Sequence, residues 1–315
     1  MNCLLIGGGG FIGAYTSRAL LQDGQNVVIL DAHVKDNSLY KILSPSELEE
    51  INIIDSSVTD LPNLLQVFKK HRIDSVVNLA SWQIPACHQN PTQAIAINGM
   101  GFNYILEAAA IMELRRVVWT STNAVFGSPK YHPIQPIPND DFHKPNTVYG
   151  ALKSLNEYMA EHFYAYRNVD SIGLRFCLVY GYGRLRGASA FASEMIQKAI
   201  TGETCVIENG DTIVDWFYVV DAAQLILQAL KAPTTKTRIF NTHSELHSVR
   251  EAAELLMRLE PHADFVIKGG TIDANWFLDN SLLKEELGFS PSYRLEDGLR
   301  DALHIASERE LRIIE

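Results

Sequence analysis

A tyrosine and a lysine lie four residues apart in the segment VYGALKS, at Tyr149 and Lys153. Residues with this spacing share one face of a helix, so the lysine ammonium can lie near the tyrosine phenol. The pKa of a free tyrosine is about 10, too high for a base at neutral pH, and a nearby positive charge lowers it. The pair could therefore take a proton from an alcohol. The same spacing also arises by chance, so its meaning depends on the elements that position it.

Short apolar runs alternate with helical patterns through the first half of the chain. The predicted strands cover 4–6, 26–30, 51–54, 75–80 and 115–122, and the predicted helices begin near 11, 61, 91 and 148. Because the strands are apolar on both faces and are separated by helices, they indicate a parallel sheet covered on both sides. The Pro-rich segment 131–145 precedes the helix that carries the tyrosine and the lysine, and we expect a surface loop there beside the site.

Three glycines, Gly7, Gly10 and Gly13, lie between the first strand and the first helix. Glycine there lets the backbone turn tightly and approach a pyrophosphate, which rests at the helix N-terminus. Asp31 closes the second strand, where a carboxylate can bind both hydroxyls of an adenosine ribose and repels a 2′-phosphate. A glycine motif alone would also fit a flexible turn. With the strand, the helix and the acid around it, the motif predicts a Rossmann-type domain that binds NAD rather than NADP.

Six segments spread over the whole chain carry a family signature. They are IGGGGFIG, VVNLAS, NGMGFNYILEAA, TSTNAVFG, LRFCLVYG and WFLDNSLLKEELGFSP. In this order they resemble the extended short-chain dehydrogenase/reductase family, which includes nucleotide-sugar epimerases and dehydratases. Ile6 stands where the family usually has threonine, and Ser57 where it often has an acid that contacts adenine.

The resemblance implies a catalytic triad and a set of NAD contacts. Tyr149 would be the acid/base, Lys153 would also bind the nicotinamide ribose, and Thr122 would hydrogen-bond the reacting oxygen. Besides Tyr149 and Lys153, the implied cofactor residues are Gly7, Gly10, Phe11, Ile12, Asp31, Ser57, Val58, Leu79, Ala80, Ser81, Asn98 and Leu178. The implied reaction is removal of a proton from a secondary alcohol while its carbon delivers hydride to the nicotinamide.

Departures from the family pattern restrict the substrate. Dehydratases have an acid pair after the threonine, where this chain has Asn123 and Ala124, so dehydration is largely excluded. Leu178 and Val214 stand where sugar-nucleotide enzymes commonly place an asparagine and an arginine that anchor the diphosphate. Apolar residues there would leave that charge unpaired, which favours a smaller substrate without a nucleotide.

Three segments supply candidate substrate contacts. Trp82, Gln83 and Asn123 follow strands at the predicted site, and Arg184 and Arg186 lie in the glycine-rich loop GYGRLRGAS. The two arginines could bind a carboxylate or a phosphate, or they could be solvated surface charges.

Metal binding is not expected in this chain. His243 and His247 are spaced as helical metal ligands are, but Ser248 and Glu251 form a capping box that would start the helix after His247. His88 is better explained as a loop hydrogen-bonding residue than as a catalyst.

Composition excludes several other functions. The net charge of −10 argues against binding to nucleic acid and to anionic membranes. The cysteines are widely spaced, without a C-x-x-C pair, and are expected to be reduced. The sequence contains no run of 18 apolar residues, so no membrane span is expected. The glycine turn comes too early for a signal peptide core, and we therefore expect a cytoplasmic protein.

We predict an α/β protein with two parts. Residues 1–180 would form a doubly wound parallel sheet that binds NAD and carries the catalytic residues. Residues 181–315 would form a smaller mixed α/β lobe, mainly for substrate, with some segments returning to the main sheet. The resemblance implies a homodimer through the helices near 91–112 and 148–166.

The predicted function is NAD-dependent oxidation or reduction of a secondary hydroxyl on a small sugar-like or acidic substrate. The alternatives are a nucleotide-sugar epimerase and a non-catalytic NAD sensor.

Overall fold

The computed structural model describes residues 1–35, 37–187, 189–274 and 276–314, with side chains described as far as residue 309. Its strands are β1 (Asn2–Ile6), β2 (Asn26–Asp31), β3 (Asn52–Asp55), β4 (Ser75–Asn78), β5 (Arg116–Thr122), β6 (Ser171–Phe176), β7 (Leu178–Tyr180), β8 (Cys205–Ile207), β9 (Ile213–Tyr218), β10 (Ile239–Asn241), β11 (Glu245–Ser248) and β12 (Phe265–Ile267). Its α-helices are α1 (Phe11–Gln22), α2 (Ser38–Ile42), α3 (Pro45–Glu49), α4 (Leu61–Lys70), α5 (Ile84–Gln89), α6 (Pro91–Ala94), α7 (Gly101–Ile111), α8 (Val148–Arg167), α9 (Phe191–Thr201), α10 (Val219–Lys231), α11 (Val249–Leu259), α12 (Ser281–Leu287) and α13 (Leu295–Ile314). A π-helical segment covers Ile95–Met100, and 3₁₀ turns cover Asn123–Val125 and Pro129–Tyr131.

A seven-stranded parallel sheet forms the centre of the protein, in the order β10-β6-β5-β4-β1-β2-β3. The chain moves outward from β1 to β3 and then crosses back to β4, so the strand order reverses between β1 and β4. In doubly wound sheets the ligand crevice opens at this reversal. The predicted Rossmann-type fold is confirmed.

Alternate residues of β1 explain why the strands are apolar on both faces. Leu5 packs into one hydrophobic core and Leu4 into the core on the other side of the sheet. Successive side chains of a strand point to opposite faces, so a sheet covered on both sides needs apolar residues at every position. The sheet is therefore a rigid platform for the loops at its ends.

The second half of the chain forms two small sheets and also returns to the main one. One small sheet has the order β11-β9-β7, and β8 pairs with β12 in the other. β10 adds to the edge of the main sheet beside β6, while α10 packs against α1. This is the mixed lobe that the sequence predicts, with returning segments; the division near residue 180 stays a prediction.

The helix predicted near 91–112 is present as α6, the π-helical segment and α7 in succession. By length and composition, the described stretch Pro91–Ile111 could cross a membrane, although half of its apolar window is buried inside the protein. The buried part includes contacts with α4 and α8, as expected of a core helix in a globular protein.

Candidate active site

The carboxyl ends of the parallel strands bring the predicted cofactor residues to one edge of the sheet. Asp31 is the last residue of β2 and Thr122 the last residue of β5. The glycine turn follows β1, Ser57 lies beyond β3, and residues 79–81 follow β4. Ligands of doubly wound sheets bind in the crevice outside this edge.

The turn after β1 approaches the turn after β4 too closely for any residue except glycine. Gly7 has a φ of 74°, and a Cβ there would lie 2.5 Å from the backbone nitrogen of Ala80. A Cβ on Gly13 would lie 2.4 Å from the carbonyl oxygen of Gly8, so α1 packs directly on the turn. Above Gly10, by contrast, a Cβ would meet only the Gly7 carbonyl among the described residues, at 3.3 Å. The backbone at Gly10 is therefore open to a ligand.

The N-terminus of α1, at Phe11 and Ile12, is suited to an anion. Gly10 is the N-cap of α1, and in the described structure no side chain accepts a hydrogen bond from the N–H groups at this helix start. The first turn also contains no acidic residue. The first N–H groups of a helix have no partners within it, and the helix dipole favours negative charge at this end. A pyrophosphate would therefore fit here, as the glycine pattern predicts.

Asp31 is held where it could bind a ribose. The N–H of Gly9 donates to its Oδ2 at 2.9 Å, and the N–H of His33 donates to its Oδ1 at 2.8 Å. A carboxylate has about four lone-pair sites, so two bonds leave acceptor capacity for sugar hydroxyls. The two N–H bonds fix the side chain beside the glycine turn, and its role toward the adenosine end of NAD stays a prediction.

The other predicted cofactor residues differ in their surroundings. The Ser57 and Thr59 hydroxyls are 2.7 Å apart and hydrogen-bonded, and Val58 is buried against the start of α7. Leu79 donates its N–H to the end of β1 at 2.8 Å. Leu178 is buried in the core that contains α1 and α10, so its side chain acts in packing.

Tyr149 and Lys153 lie one turn apart near the start of α8, as their spacing predicts. The helix begins after Thr147, whose hydroxyl accepts the N–H of Gly150 at 3.0 Å. The Lys153 ammonium nitrogen is 5.8 Å from the centroid of the Tyr149 ring. Both side chains are buried, at 8% and 3% exposure, so water competes little with the contacts that they make.

Thr122 meets Tyr149 at the end of β5. The Thr122 and Gln83 side chains lie close enough to the phenol to lower its pKa. The Thr122 hydroxyl accepts the N–H of Ala124 and donates to Oδ1 of Asn123, both at 3.2 Å. These contacts bring together the three residues of the predicted triad and two of the predicted substrate contacts.

The electrostatics of Tyr149 differ from the sequence-based expectation. Burial raises the pKa of Tyr149 to about 12, against the lowering effects of Thr122, the Arg184 charge and Gln83. The sequence predicts that Lys153 lowers this pKa, but burial has the larger effect, and the ammonium donates instead to the carbonyl oxygen of Thr120 at 2.6 Å. A positive charge on a bound nicotinamide would lower the pKa of Tyr149 further toward neutrality.

Burial also acts on Lys153. It lowers the pKa of Lys153 to about 8, partly opposed by the negative charge of Glu157 on the next turn of α8. The ammonium form is therefore retained at neutral pH by a small margin, and it depends on nearby anions.

Gly150, next to Tyr149, is a residue whose role the sequence reasoning missed. A Cβ at this position would lie 2.4 Å from the carbonyl oxygen of Ala124. The glycine therefore allows α8 to approach the turn after β5, which brings the phenol within reach of Thr122. The signal was present as the dipeptide Tyr-Gly at a helix start, where glycine is otherwise unfavourable.

Asn98 lies in the π-helical segment and fixes the loop after β4. Its Oδ1 accepts the N–H of Trp82 at 2.7 Å, and its Nδ2 donates to the Trp82 carbonyl at 2.9 Å. Its own carbonyl accepts from the Asn156 amide of α8 at 2.8 Å. π-Helical turns are frequent at functional sites. Here the turn ties the loop to the catalytic helix, so Asn98 acts through its neighbours.

The two arginines of the glycine-rich loop have different positions. Arg184 lies near Tyr149, whose pKa its charge lowers, and its Nε donates to the Arg186 carbonyl at 3.1 Å. At Gly187, an added Cβ would lie 3.1 Å from a guanidinium nitrogen of Arg184 and 3.2 Å from Cγ of Gln83. The side chain of Arg186 is exposed. Of these two arginines, Arg184 is therefore the one whose charge acts on Tyr149.

Cysteine and histidine residues form no second centre among the described residues. The four cysteines are free thiols, and no group of three potential metal ligands is present in the part of the chain that the structure describes. Ser248 and Glu251 form the predicted capping box at the start of α11. His247 therefore precedes that helix, as the sequence predicts.

Comparison with known proteins identifies the family. The model of the NAD dependent epimerase/dehydratase family matches residues 3–242. The chain belongs to this family. It is 27% identical to UDP-glucuronate 4-epimerase 4 of Arabidopsis thaliana, over 95% of this chain and 74% of that protein.

Solved structures share the fold of this family member over almost its full length. L-threonine dehydrogenase from Clostridium difficile is 27% identical, with a TM-score of 0.85 and 98% of each chain covered. UDP-glucose 4-epimerase from Thermotoga maritima, in complex with UDP-glucose, has a TM-score of 0.86 at 24% identity with both chains fully covered. The family therefore includes epimerases and dehydrogenases on one fold, and its cofactor is NAD.

Proposed function

We propose that the protein is an NAD-dependent oxidoreductase that transfers hydride between NAD and the secondary hydroxyl carbon of a small substrate bearing a carboxylate. The triad of Thr122, Tyr149 and Lys153 supports the reaction type. The observation that favours an acidic substrate is Arg184, whose positive charge lies near enough to Tyr149 to lower the pKa of its phenol.

The side chains divide the reaction between them. When bound, NAD supplies the hydride acceptor, and Asp31, the glycine turn and Lys153 would hold it. Thr122 binds the substrate oxygen, and Tyr149 takes the hydroxyl proton as the carbonyl forms. General-base catalysis of this kind contributes about 10²–10⁴-fold to the rate. Lys153, kept as an ammonium 5.8 Å from the centroid of the Tyr149 ring, keeps a positive charge on the side of the site where the nicotinamide ribose would bind.

Arg184 is suited to hold an anion at a fixed distance from that phenol. Its Nε and one terminal nitrogen donate to the carbonyls of Arg186, at 3.1 Å, and Val179, at 3.4 Å. Burial lowers its pKa, so an anionic partner would stabilise its charge. A guanidinium binds carboxylates in a planar, bidentate geometry. A substrate carboxylate bound here would orient the hydroxyl carbon toward Tyr149.

Leu178 and Val214 support a small substrate rather than a sugar nucleotide. Both are buried to 1% exposure in the core. Neither can pair with a diphosphate, and an unpaired buried charge is strongly unfavourable.

The paired variants Arg184→Gln and Arg186→Gln test the proposal. We expect Arg184→Gln to raise KM about 10- to 100-fold, because hydrogen bonds to charged groups contribute about 1.5–3 kcal/mol. Arg186→Gln should leave KM unchanged, since its side chain is exposed. NADH absorbance would be followed with a panel of secondary-hydroxy acids that includes L-threonine and uronic acids, each beside its carboxamide. Equal turnover of acid and amide would contradict the role of Arg184.

The alternative is epimerisation of a nucleotide-linked sugar acid, which the similarity to a UDP-glucuronate 4-epimerase favours. Titration of UDP into NAD-saturated protein, followed by calorimetry, separates the two functions. Because Leu178 and Val214 offer no anchor for a diphosphate, we expect no measurable heat of binding. Micromolar binding would make the epimerase the better proposal.

A homodimer through α7 and α8 is also proposed. Apolar side chains are exposed on the α6–α7 stretch and on α8, among them Met100 at 47%, Ile111 at 52%, Tyr158 at 72% and Tyr166 at 76%. Exposed apolar patches of this kind mark interaction surfaces. We expect light scattering to give twice the chain mass for the wild type and the monomer mass for Tyr158→Glu, while Ile272→Glu, on another surface, stays dimeric. A monomeric wild type would contradict the proposal.

A further inference from the structure

A buried ionic cluster lies directly behind the proposed catalytic residues. Glu157, at 3% exposure, follows Tyr149 and Lys153 on the same face of α8, eight and four residues further on. Nε and a terminal nitrogen of Arg175, in β6, donate to its two carboxylate oxygens at 2.9 and 2.6 Å. The cluster is therefore anchored on the central sheet.

The same carboxylate contacts the strand that carries Thr122. The hydroxyl of Ser121, the residue before Thr122, donates to Oε1 of Glu157. Lys153 donates to the carbonyl of Thr120 on the same strand. Two residues of α8 thus bind two successive residues of β5, Thr120 and Ser121, directly before Thr122. These bonds fix the distance between the proposed base and Thr122.

The charged and titratable groups around Glu157 come from three elements. They are Lys153 on α8, Arg175 on β6, and His143 in the segment before α8, whose Nε2 is 3.2 Å from a Glu157 oxygen and 3.2 Å from a terminal nitrogen of Arg175. Glu157 is the carboxylate whose charge acts on Lys153, and a second titratable group, the Cys87 thiol, also faces that lysine. Arg175 makes further bonds to the Asn139 carbonyl and the Asn241 amide oxygen, at 2.7 and 3.0 Å.

We propose that Glu157 is a positioning residue that keeps Lys153 charged and holds the helix of Tyr149 at a fixed distance from the strand of Thr122. This role rests on the proposed function, in which Lys153 acts as an ammonium. It explains how a lysine buried to 3% exposure can keep its proton: a carboxylate one helical turn away compensates for the water that burial removes.

The pKa of Lys153 can be measured without any turnover. Protein labelled on lysine with ¹³C and ¹⁵N would be titrated by NMR, with the Lys153 signal assigned through Lys153→Arg. We expect Glu157→Gln to lower the pKa of Lys153 by about one unit or more. Ser121→Ala, which removes a hydrogen bond to Glu157 but keeps its charge, should leave that pKa unchanged.

A second variant keeps the test valid if Glu157→Gln does not fold. The double variant Glu157→Gln/Arg175→Gln leaves no unpaired buried charge, because two amides replace the ion pair. It should lower the pKa of Lys153 in the same direction and move the high-pH limb of kcat/KM to lower pH. An unchanged pKa of Lys153 in either folded variant would overturn the role of Glu157. A lowered pKa in a protein that oxidises no hydroxy acid would uphold this inference and contradict the proposed function instead.

Discussion

Replacement of Tyr149 with phenylalanine is expected to lower kcat by about 10²- to 10⁴-fold, the usual contribution of a general acid/base. The substitution removes only the phenol oxygen, whose pKa Thr122 and Gln83 lower. The ring would keep its packing against Cys87 and Leu152. Turnover of the best hydroxy acid, followed by NADH absorbance, gives the rate, and calorimetry gives the NAD affinity, which should not change.

Tyr180→Phe is the matched control for this prediction. Tyr180 is also buried, and its hydroxyl donates to the Leu295 carbonyl at 3.4 Å, at the start of α13. We expect normal turnover from this variant. If Tyr149→Phe retained more than about a tenth of wild-type kcat, Tyr149 would not be the base; if it lost NAD binding as well, the loss of rate could not be assigned to chemistry.

The pH dependence of the reaction should reflect both members of the pair. Tyr149 must lose its proton to act as a base, and burial raises its pKa to about 12. Lys153 must stay protonated, and burial lowers its pKa to about 8. The contribution of a positively charged nicotinamide is therefore needed for turnover at neutral pH, which ties proton removal to the presence of oxidised cofactor.

Sequence reasoning placed the proposed catalytic residues on their helix and the glycine turn at its helix start because the relevant signals are local. Tyr149 and Lys153 are four residues apart, and the glycine turn stands between a strand and a helix, so spacing alone predicts which side chains share a face. The parallel sheet followed for the same reason, since each strand is apolar on both faces. These features depend on neighbours in the sequence, and the structure places Tyr149, Lys153 and the glycine turn as predicted.

Features that depend on distant residues could not be predicted in the same way. The direction of the Tyr149 pKa shift is set by burial under loops from elsewhere in the chain. Arg184 and Arg186 are equivalent in the sequence, and only folding places one beside the phenol. The pairing of Glu157 with Arg175 joins α8 to β6. The sequence shows only a carboxylate four residues beyond Lys153, and this carboxylate can be interpreted only when the position of the arginine is known.

Removal of Arg175 is expected to cause the largest loss of stability. In Arg175→Met the Glu157 carboxylate would keep its burial at 3% exposure but lose both guanidinium bonds. Leaving one member of a buried ion pair unpaired costs about 3–5 kcal/mol. We therefore expect the free energy of unfolding, measured by urea denaturation at neutral pH, to fall by that amount. Arg167→Met is the control: Arg167 also pairs with a glutamate, Glu107, at 2.9 Å, but on the protein surface, where such pairs contribute less than about 1 kcal/mol.

The same prediction has a defined dependence on pH. Arg175 and His143 lower the pKa of Glu157 from its ordinary value of 4.5 to about 2, although burial acts in the opposite direction. A carboxyl group with a lowered pKa in the folded state stabilises that state above its unfolded pKa and loses this contribution as pH falls through the folded pKa. The wild type should therefore lose stability between about pH 4.5 and about pH 2. Over that window the difference between wild type and Arg175→Met should shrink, because protonation removes the charge that the arginine pairs with. A difference that stayed constant with pH would show that Arg175 acts through packing rather than through the charge of Glu157.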